Sequence, residues 1–538
     1  MVKINPQFLT QRRPNASSAP CIDLKSMERI RFLLSTRFLD MALTAPAGKA
    51  ATGIHGLDDV LAGGFARGHT FLIEGEPGTG KTTIALQFLQ RGAAAGERTL
   101  YVSLSETGDE LRDSAASHGW TLDPSIEIFE LVPPESLLDS TQQQSLIHAS
   151  DLELGESVTR LLAKVEAVNP DRIVLDSLSE LRLLAQGSLR YRRQILALKH
   201  FFARQAVTVL LLDDLTTDTL DKTVHSITHG VIRLEQLTPD YGAERRRLRI
   251  LKYRGQKYRG GFHDFMIAHG GVEVFPRLVA VEHRSDYARD QLSTNITGFD
   301  ALLGGGVDAG SSTLLIGPTG TGKSLVALVF LAAAVARGEK AAMFVFDEEL
   351  GLLFKRARAF GIDLERMRTH GDIVIEQIDA AELSPGEFAH RVRKAVDEQQ
   401  IKTLIVDSLT GYQAAMPEEK SLVLHLHEVL LYLNRHGVTT FVTLTQHGLV
   451  GDMGSPVDVT YLADTVILLR YFEAMGQIRR AISVIKKRAG VHESTIREYT
   501  LGGGGLSVGE PLTDFQGILR GTPDYTGSSR KLFGGRPT

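Results

Sequence analysis

Cysteine is almost absent: Cys21 is the only one among 538 residues. A single thiol can form neither an internal disulfide nor a cysteine-based zinc site, which points to a reducing, cytoplasmic setting. Long apolar runs are missing too. No uninterrupted apolar stretch approaches the roughly 20 residues that a bilayer span needs, so no membrane segment is expected. Nor is positive charge in excess. With a formal net charge of −4, no global basic field draws the chain towards nucleic acid or anionic lipid. The N-terminal MVKINPQFLTQRRPNASSAP lacks the apolar core of a secretory signal, and reads as a disordered tail or a start assigned too early. The MERIRFLLSTRFLDMAL that follows has helix-like apolar spacing, and its expected role is docking. Residues 1–48 are thus expected to be a tail with a short amphipathic helix.

What is present is an ordinary globular balance, 43% hydrophobic and 23% charged, over a length that suggests two or more domains. The chain repeats itself. TGIHGLDDVLAGGFARGHTFLIEGEPGTGKT from Thr52 lies against TNITGFDALLGGGVDAGSSTLLIGPTGTGKS from Thr294 without a gap. RIVLDSLSEL around Asp176 answers TLIVDSLTGY around Asp407, and ILKYRG at Ile250 answers VIKKRA at Val484. Three motifs in one order at nearly one spacing mark a tandem duplication. In each half, continuous apolar β-rich runs alternate with helical stretches, which implies an α/β fold with a mostly parallel, two-sided sheet. The expected domains are 49–282 and 283–513. The polar joint falls within Pro276–Ser293, and residues 514–538 are read as a flexible tail.

Both halves carry G-x-x-x-x-G-K-[ST] between a predicted strand and a predicted helix, the context that makes this motif a phosphate loop. In the first half the loop comprises Gly75, Glu76, Pro77, Gly78, Thr79, Gly80, Lys81, Thr82 and Thr83. In the second it comprises Gly317, Pro318, Thr319, Gly320, Thr321, Gly322, Lys323, Ser324 and Leu325. The glycines let successive N–H groups face phosphate oxygens, and the following helix adds its positive end. Lys81 and Lys323 are expected to neutralise the β/γ-phosphates of ATP, with the Thr82 and Ser324 hydroxyls on Mg²⁺. Asp176 and Asp407 end apolar strands. Such a residue alone is a turn or a cap; downstream of a phosphate loop it is expected to hold the Mg²⁺ water shell.

Hydrolysis also needs a group that orients the nucleophile, usually near the end of a neighbouring strand. LYVSLSET offers Ser105 and Glu106; MFVFDEEL offers Asp347, Glu348 and Glu349. Lys252/Arg254 and Lys486/Arg488 alternate along strands, so each pair points to one face. Each is either a solvated edge or a pair of fingers reaching a neighbouring subunit's γ-phosphate, and the second reading entails oligomerisation.

These residues resemble the KaiC family, double-domain RecA-like ATPases best known from circadian clocks. The resemblance runs from about Ala51 to Phe515 and rests on the doubled phosphate loop, the doubled Asp-Ser and the doubled K-x-R. It also rests on YLADTVILLRYFEAMGQIRRAISVIKKRAGVHESTIREY at Tyr461–Tyr499. It implies a homohexamer of two stacked rings with Mg-ATP between subunits. It also implies catalytic carboxylates at Ser105/Glu106 and Asp347/Glu348, where the first pair has lost one acid. An autokinase in the second half would have its acceptor pair at Thr460 and Tyr461, with Thr460 the better phosphate acceptor. ELVPPESLLDSTQQQSLIHASDLELGE (Glu130–Glu156) and the C-terminal tail, where the resemblance places partner contacts, depart from the family; of a KaiB-like and a KaiA-like partner, the KaiB-like one is the more credible.

Two other readings compete. A DNA-dependent RecA/DnaB-type ATPase shares the motifs, yet the chain lacks a basic-aromatic strip for single strands. RYRRQ at Arg190 and ERRRLR at Glu244 are read as interface or solvated faces. A nucleotide-gated scaffold with slow turnover suits Ser105. His425, His427 and Glu428 are expected on a helical surface without a transition metal, since i, i+2 spacing does not converge.

Overall fold

The computed structural model describes residues 48–131, 146–185, 187–215, 223–239, 242–282, 286–414, 419–448, 458–474, 476–520 and 523–527. The expected N-terminal docking helix, and most of the departing Glu130–Glu156 segment, lie outside them.

The first half contributes strands β1 (Thr70–Gly75), β2 (Thr99–Ser103), β3 (Ile126–Glu130), β4 (Arg172–Asp176), β5 (Thr208–Asp214), β6 (Gly230–Leu237), β7 (Arg245–Tyr253), β8 (Phe262–Ala268) and β9 (Gly271–Phe275). They form a nine-stranded sheet ordered β9-β8-β7-β6-β1-β5-β4-β2-β3. Pairing is parallel from β3 through β6 and antiparallel from β6 to β9. The second half repeats this order with β10 (Ser312–Gly317), β11 (Ala341–Val345), β12 (Ile373–Gln377), β13 (Thr403–Asp407), β14 (Thr439–Thr445), β15 (Thr465–Ala474), β16 (Gln477–Lys487), β17 (Arg497–Gly502) and β18 (Gly505–Pro511). The α/β architecture expected from the sequence is observed in both halves.

The apolar runs are explained by cover on both faces. Phe71 and Ile73 of β1 pack with Ile84, Ala85 and Phe88 of helix α1 (Lys81–Ala94). Leu72, pointing the other way, packs with Ile195 and Leu198 of α2 (Ser188–Arg204). The same alternation places Leu315 of β10 in one core of the second half and Leu314 and Ile316 in the other. The central strand is thereby fixed from both sides, and its C-terminal end is where each phosphate loop begins.

Lys49–Thr538 form one compact unit. Leu278 and Ala280 already pack in a core of the second half, so the chain joins that half a few residues before the expected boundary at 283. Arg435 donates to the Ala280 carbonyl at 2.7 Å, and the Ala280 amide donates to Glu428 at 3.0 Å. Asp264 of β8 accepts from the Gly386 amide at 2.7 Å, in the first turn of α3 (Pro385–Gln399) of the second half.

Two expectations are corrected here. Residues 515–525 were expected to lie in a flexible tail, yet Phe515–Gln516 pair with Asp524–Tyr525. Ile518 packs beside Phe472, Ala474 and Ala481, because apolar side chains on this stretch cover the edge of β15 and β16. His425 does not lie on a helical surface. It is half-buried and shares a 2.5 Å hydrogen bond with the Tyr412 hydroxyl, and desolvation pulls its pKa down to about 4.

Candidate active sites

Each phosphate loop turns through a glycine that no other residue could replace. Gly80 (φ 96°) and Gly322 (φ 93°) are left-handed and stand directly before the helices that open at Lys81 and Lys323. A Cβ at Gly80 would lie 2.6 Å from Ile267 of β8, and one at Gly322 would lie 2.1 Å from Leu501 of β17. Backbone conformation and the roof above the loop exclude a side chain together. The loops are pinned alike, by Thr79 Oγ1 donating to the Glu76 carbonyl at 2.7 Å and Thr321 Oγ1 to the Pro318 carbonyl at 2.8 Å. Only the second has a further brace: the Tyr499 hydroxyl donates to the Thr321 carbonyl at 2.5 Å, where β8 carries Phe265.

In the first half, Lys81 Nζ donates to the Gly75 and Glu76 carbonyls, both at 2.9 Å, and lies 2.7 Å from Asp214. Thr82 Oγ1 donates to Asp176 at 3.2 Å, and the Tyr101 hydroxyl donates to the same carboxylate oxygen at 2.5 Å. Burial pushes the Asp176 carboxyl up while those two hydrogen bonds oppose it; burial, then Asp176, drives the Tyr101 phenol far above its usual range. Glu106 also titrates high, first through burial and then through the Asp176 charge. Glu106, Asp176 and Asp214 therefore face one another around the end of the loop lysine.

In the second half, Lys323 Nζ donates to the Gly317 and Pro318 carbonyls at 3.0 and 3.1 Å. Register places Gly75 beside Asp214 but Gly317 beside Thr445, so here no acid occupies the place of Asp214. Burial lowers the Lys323 pKa to about 8, against the pull of Asp407. Asp407 accepts from Thr443 of β14 at 2.5 Å, and Met343 stands where Tyr101 does in the first half. Asp347 accepts from the Ser408 hydroxyl and leaves no room for a side chain at Gly411. Glu348 pairs with Arg356 at 2.6 Å; burial raises its carboxyl, Arg356 opposes this, and Asp407 adds to it. Glu349 accepts from the Gly351 and Leu352 amides at 2.9 and 3.0 Å, and so is the cap of the following helix.

A magnesium ion fits these donors. Mg²⁺ prefers hard oxygens, takes one or two carboxylates and leaves its other positions to water and phosphate. A threonine hydroxyl already converging on a buried aspartate supplies that set in the first half. Ser324 and Asp407 supply it at the matching positions of the second.

The K-x-R pairs lie at the other end of the sheet. Lys252 Nζ donates to the carbonyls of His225 and, at 2.6 Å, Thr228, and Arg254 donates to Ser226 at 2.8 Å. Lys486 donates to the Thr460 and Ala463 carbonyls at 3.0 and 2.8 Å, and Arg488 to Tyr461 at 2.5 Å. Burial, then Arg254, lowers the Lys252 pKa to about 8. Thr460 is half-buried in a turn, its hydroxyl donating to Asp458 at 2.7 Å, and the neighbouring Tyr461 is exposed. Thr460 therefore does not enter a strand; β15 begins only at Thr465. β15 runs parallel to β10 with Thr465 opposite Thr313, while the phosphate loop starts at the far end, Gly317. At about 3.3 Å per residue, the turn and the loop of one chain are separated by most of a strand length.

Asp214, Tyr101, Thr443, Arg356 and Tyr499 escaped sequence reasoning. The paired aspartates that end VTVLLLDD were the one available signal. The arginines of ERRRLR are occupied within the chain: Arg247 pairs with Glu235 at 2.8 Å and lies over Phe262 at 4.0 Å, and Arg246 pairs with Glu244 at 3.3 Å. Among the described residues, no helix is long and apolar enough to cross a membrane.

The family model described as "ATPase: KaiC" matches twice, over residues 50–279 and 292–513. The chain is 28% identical over 491 residues to the circadian clock oscillator protein KaiC of Picosynechococcus, covering 88% of this chain and 92% of that protein. It is 28% identical over 493 residues to the protein of the same name from Thermosynechococcus vestitus, covering 89% and 92%. Against the circadian clock protein KaiC3 of Synechocystis it is 27% identical over 490 residues, covering 89% and 95%. Two matched domains, each with a phosphate-loop lysine, a buried strand-end aspartate and a K-x-R pair in equivalent places, make this chain a member of the KaiC family of ATPases.

Proposed function

We propose that the protein binds and hydrolyses Mg-ATP at both sites as a homohexamer of two stacked rings, and transfers phosphate to its own Thr460. The observation that carries this reading is the separation within one chain between each phosphate loop and each K-x-R pair. A loop at one end of the sheet and cations at the other become useful to the same ATP only when a second copy brings its own far end to the loop. In that arrangement Lys81 and Lys323 hold the β/γ-phosphates. Thr82 with Asp176, and Ser324 with Asp407, hold Mg²⁺, which neutralises phosphate charge when bound. Glu106 and Glu348 orient the attacking water, with Asp347 supporting the second site through Ser408. Lys252/Arg254 and Lys486/Arg488 reach the neighbour's γ-phosphate. Thr460, whose carbonyl accepts from Lys486, is then carried towards that phosphate and is the proposed acceptor, and Tyr461 is the lesser candidate.

The setting is the cytoplasm, the output is signalling or clock-like timing, and a KaiB-like protein is the partner class; the internally paired arginines of β7 argue against nucleic acid. Native mass measurement with and without ATP, joined to phosphopeptide mapping, tests the reading. It predicts hexamers that form on ATP binding and carry phosphate at Thr460. Monomers in saturating ATP would overturn the ring, and an unlabelled Thr460 would remove the kinase while leaving the ATPase. A second reading, a scaffold gated by the first site, is favoured by one observation: Lys81 is paired with Asp214 at 2.7 Å, where the second half has Thr445.

A further inference from the structure

A polar triad around a buried glutamate ties the phosphate loop of the first half to its K-x-R pair, and among the described residues the second half has no counterpart. Glu74, the residue before the first loop glycine, is 2% exposed. A buried carboxylate must be paired, and it is. Arg233 donates to one oxygen through Nε at 2.8 Å and Nη2 at 2.7 Å, and His225 Nε2 lies 2.6 Å from the other. Burial pulls the Glu74 carboxyl up, but hydrogen bonds and charge from His225 and Arg233 outweigh it and hold the group below its ordinary value.

His225 belongs to the short helix Thr223–Ile227, at the far end of the sheet from the loop, and its carbonyl accepts from Lys252. Its side chain thus holds the strand that ends in Gly75, while its backbone holds the finger lysine. Gly75 in turn accepts from Lys81. Direct bonds therefore lead from the loop lysine to the finger lysine through two side chains. At the matching positions the second half has Ile316 for Glu74, Leu468 for Arg233 and Thr460 for His225, and the Thr460 hydroxyl turns to Asp458 instead.

We infer that Glu74 and His225 are positioning residues that couple occupancy of a subunit's first ATP site to the finger it offers the next subunit. The inference rests on the trans-finger reading above. When Lys81 exchanges Asp214 for phosphate, the strand end at Glu74–Gly75 is where the change is felt, and the triad passes it to the turn gripped by Lys252. Turnover in the first ring is then cooperative, while the second ring, lacking the triad, fires its sites independently.

The test uses the full chain with Lys323→Ala throughout, so that only first-ring turnover is read. His225→Leu should lower kcat about tenfold, the scale expected when a positioned group is displaced. It should leave the KM for ATP within about twofold and abolish any Hill coefficient above one, with His225→Gln restoring most of both. The deciding arm mixes subunits. Dopants carrying Glu106→Gln keep Lys81 and bind ATP but do not turn it over, so any extra loss caused by adding His225→Leu must arise at the neighbour. Added Arg254→Ala should cause such a loss as well. If Arg254→Ala silences the neighbour and His225→Leu does not, the coupling is wrong and the finger reading stands. If neither does, the finger reading itself fails. Should the leucine variant not assemble by native mass, Glu74→Gln carries the same expectation of lost cooperativity, and retained cooperativity there would overturn the coupling.

Discussion

The two ATP sites share a loop, a lysine and a strand-end aspartate, yet they are wired oppositely. Around the first loop the neighbours are ionisable and paired: buried Glu74 with half-buried Arg233 and His225, buried Asp213 with Arg182 at 2.5 Å, and Asp214 on Lys81. Around the second the matching positions read Ile316, Leu468, Thr460, Leu444, Gln413 and Thr445. Buried charges demand partners in fixed geometry, whereas apolar packing tolerates small shifts. The first site is therefore the more constrained, and its lysine is already paired with an acid; in the second the lysine donates to carbonyls and feels Asp407 only at a distance. A duplicated fold can keep its phosphate chemistry constant and still differentiate its copies through the residues behind the loop.

The comparison breaks most sharply at the lysines. Lys81→Ala and Lys323→Ala should each lower turnover at their own site by about 100-fold or more, as expected when preorganised charge stabilisation is lost. Only Lys323→Ala should also abolish label at Thr460. Phosphate on Thr460 in the Lys323→Ala protein would show that the halves do not divide the work. Next comes pH. Protonated Lys323 attracts phosphate, and its pKa is lowered to about 8, so ATP affinity at the second site should fall as pH rises through about 8. Nucleotide titrations in a Lys81→Ala background check this, and a flat profile between pH 7 and 9 would contradict it.

A smaller effect should follow from giving the first site the residue of the second. Asp214→Thr removes a carboxylate beside the bound phosphates and frees Lys81, and about 1 kcal/mol of relieved repulsion means roughly fivefold tighter ATP. Unchanged or weaker binding in a Lys323→Ala background would show that Asp214 orients the lysine rather than restrains it. The smallest effect belongs to the brace. Tyr499→Phe deletes the hydrogen bond to the Thr321 carbonyl and should cost about 1 kcal/mol, read as a lower melting temperature. Equal melting would mean that water replaces the hydroxyl.

The doubled loop, Asp176, Asp407 and the α/β alternation were legible in the sequence because each is a contiguous pattern whose chemistry fixes its spacing. The mostly parallel sheet followed from that alternation; the order of its strands did not. What surrounds the loops was not legible. Glu74, His225 and Arg233 are far apart in the chain, and only the parallel register of β1 with β6, and the path of the short helix before it, bring them together. Tyr101 looked like any strand aromatic until β2 was laid beside β4. His425 seemed to face solvent on its helix because the contacting Tyr412 comes from another element. Glu349 looked like a third acid at the second site and proved to be a helix cap, a choice made by backbone amides two and three residues on.

Strand β8 links the two halves more closely than a tandem repeat suggests. Phe265 and Ile267 cover the first loop from one face, while Asp264 between them and the β7 arginines meets the first turn of a second-half helix. Cutting the chain near Pro276 to isolate the first half would strip Asp264 of its amide partner and Phe275 of His390, whose ring lies 5.3 Å away. A cut at the expected boundary after residue 282 would instead pull Leu278 and Ala280 out of a second-half core. For anyone dividing this protein for assay, a severed first half carries a raw surface behind its own nucleotide roof, and single substitutions in the whole chain are the cleaner dissection.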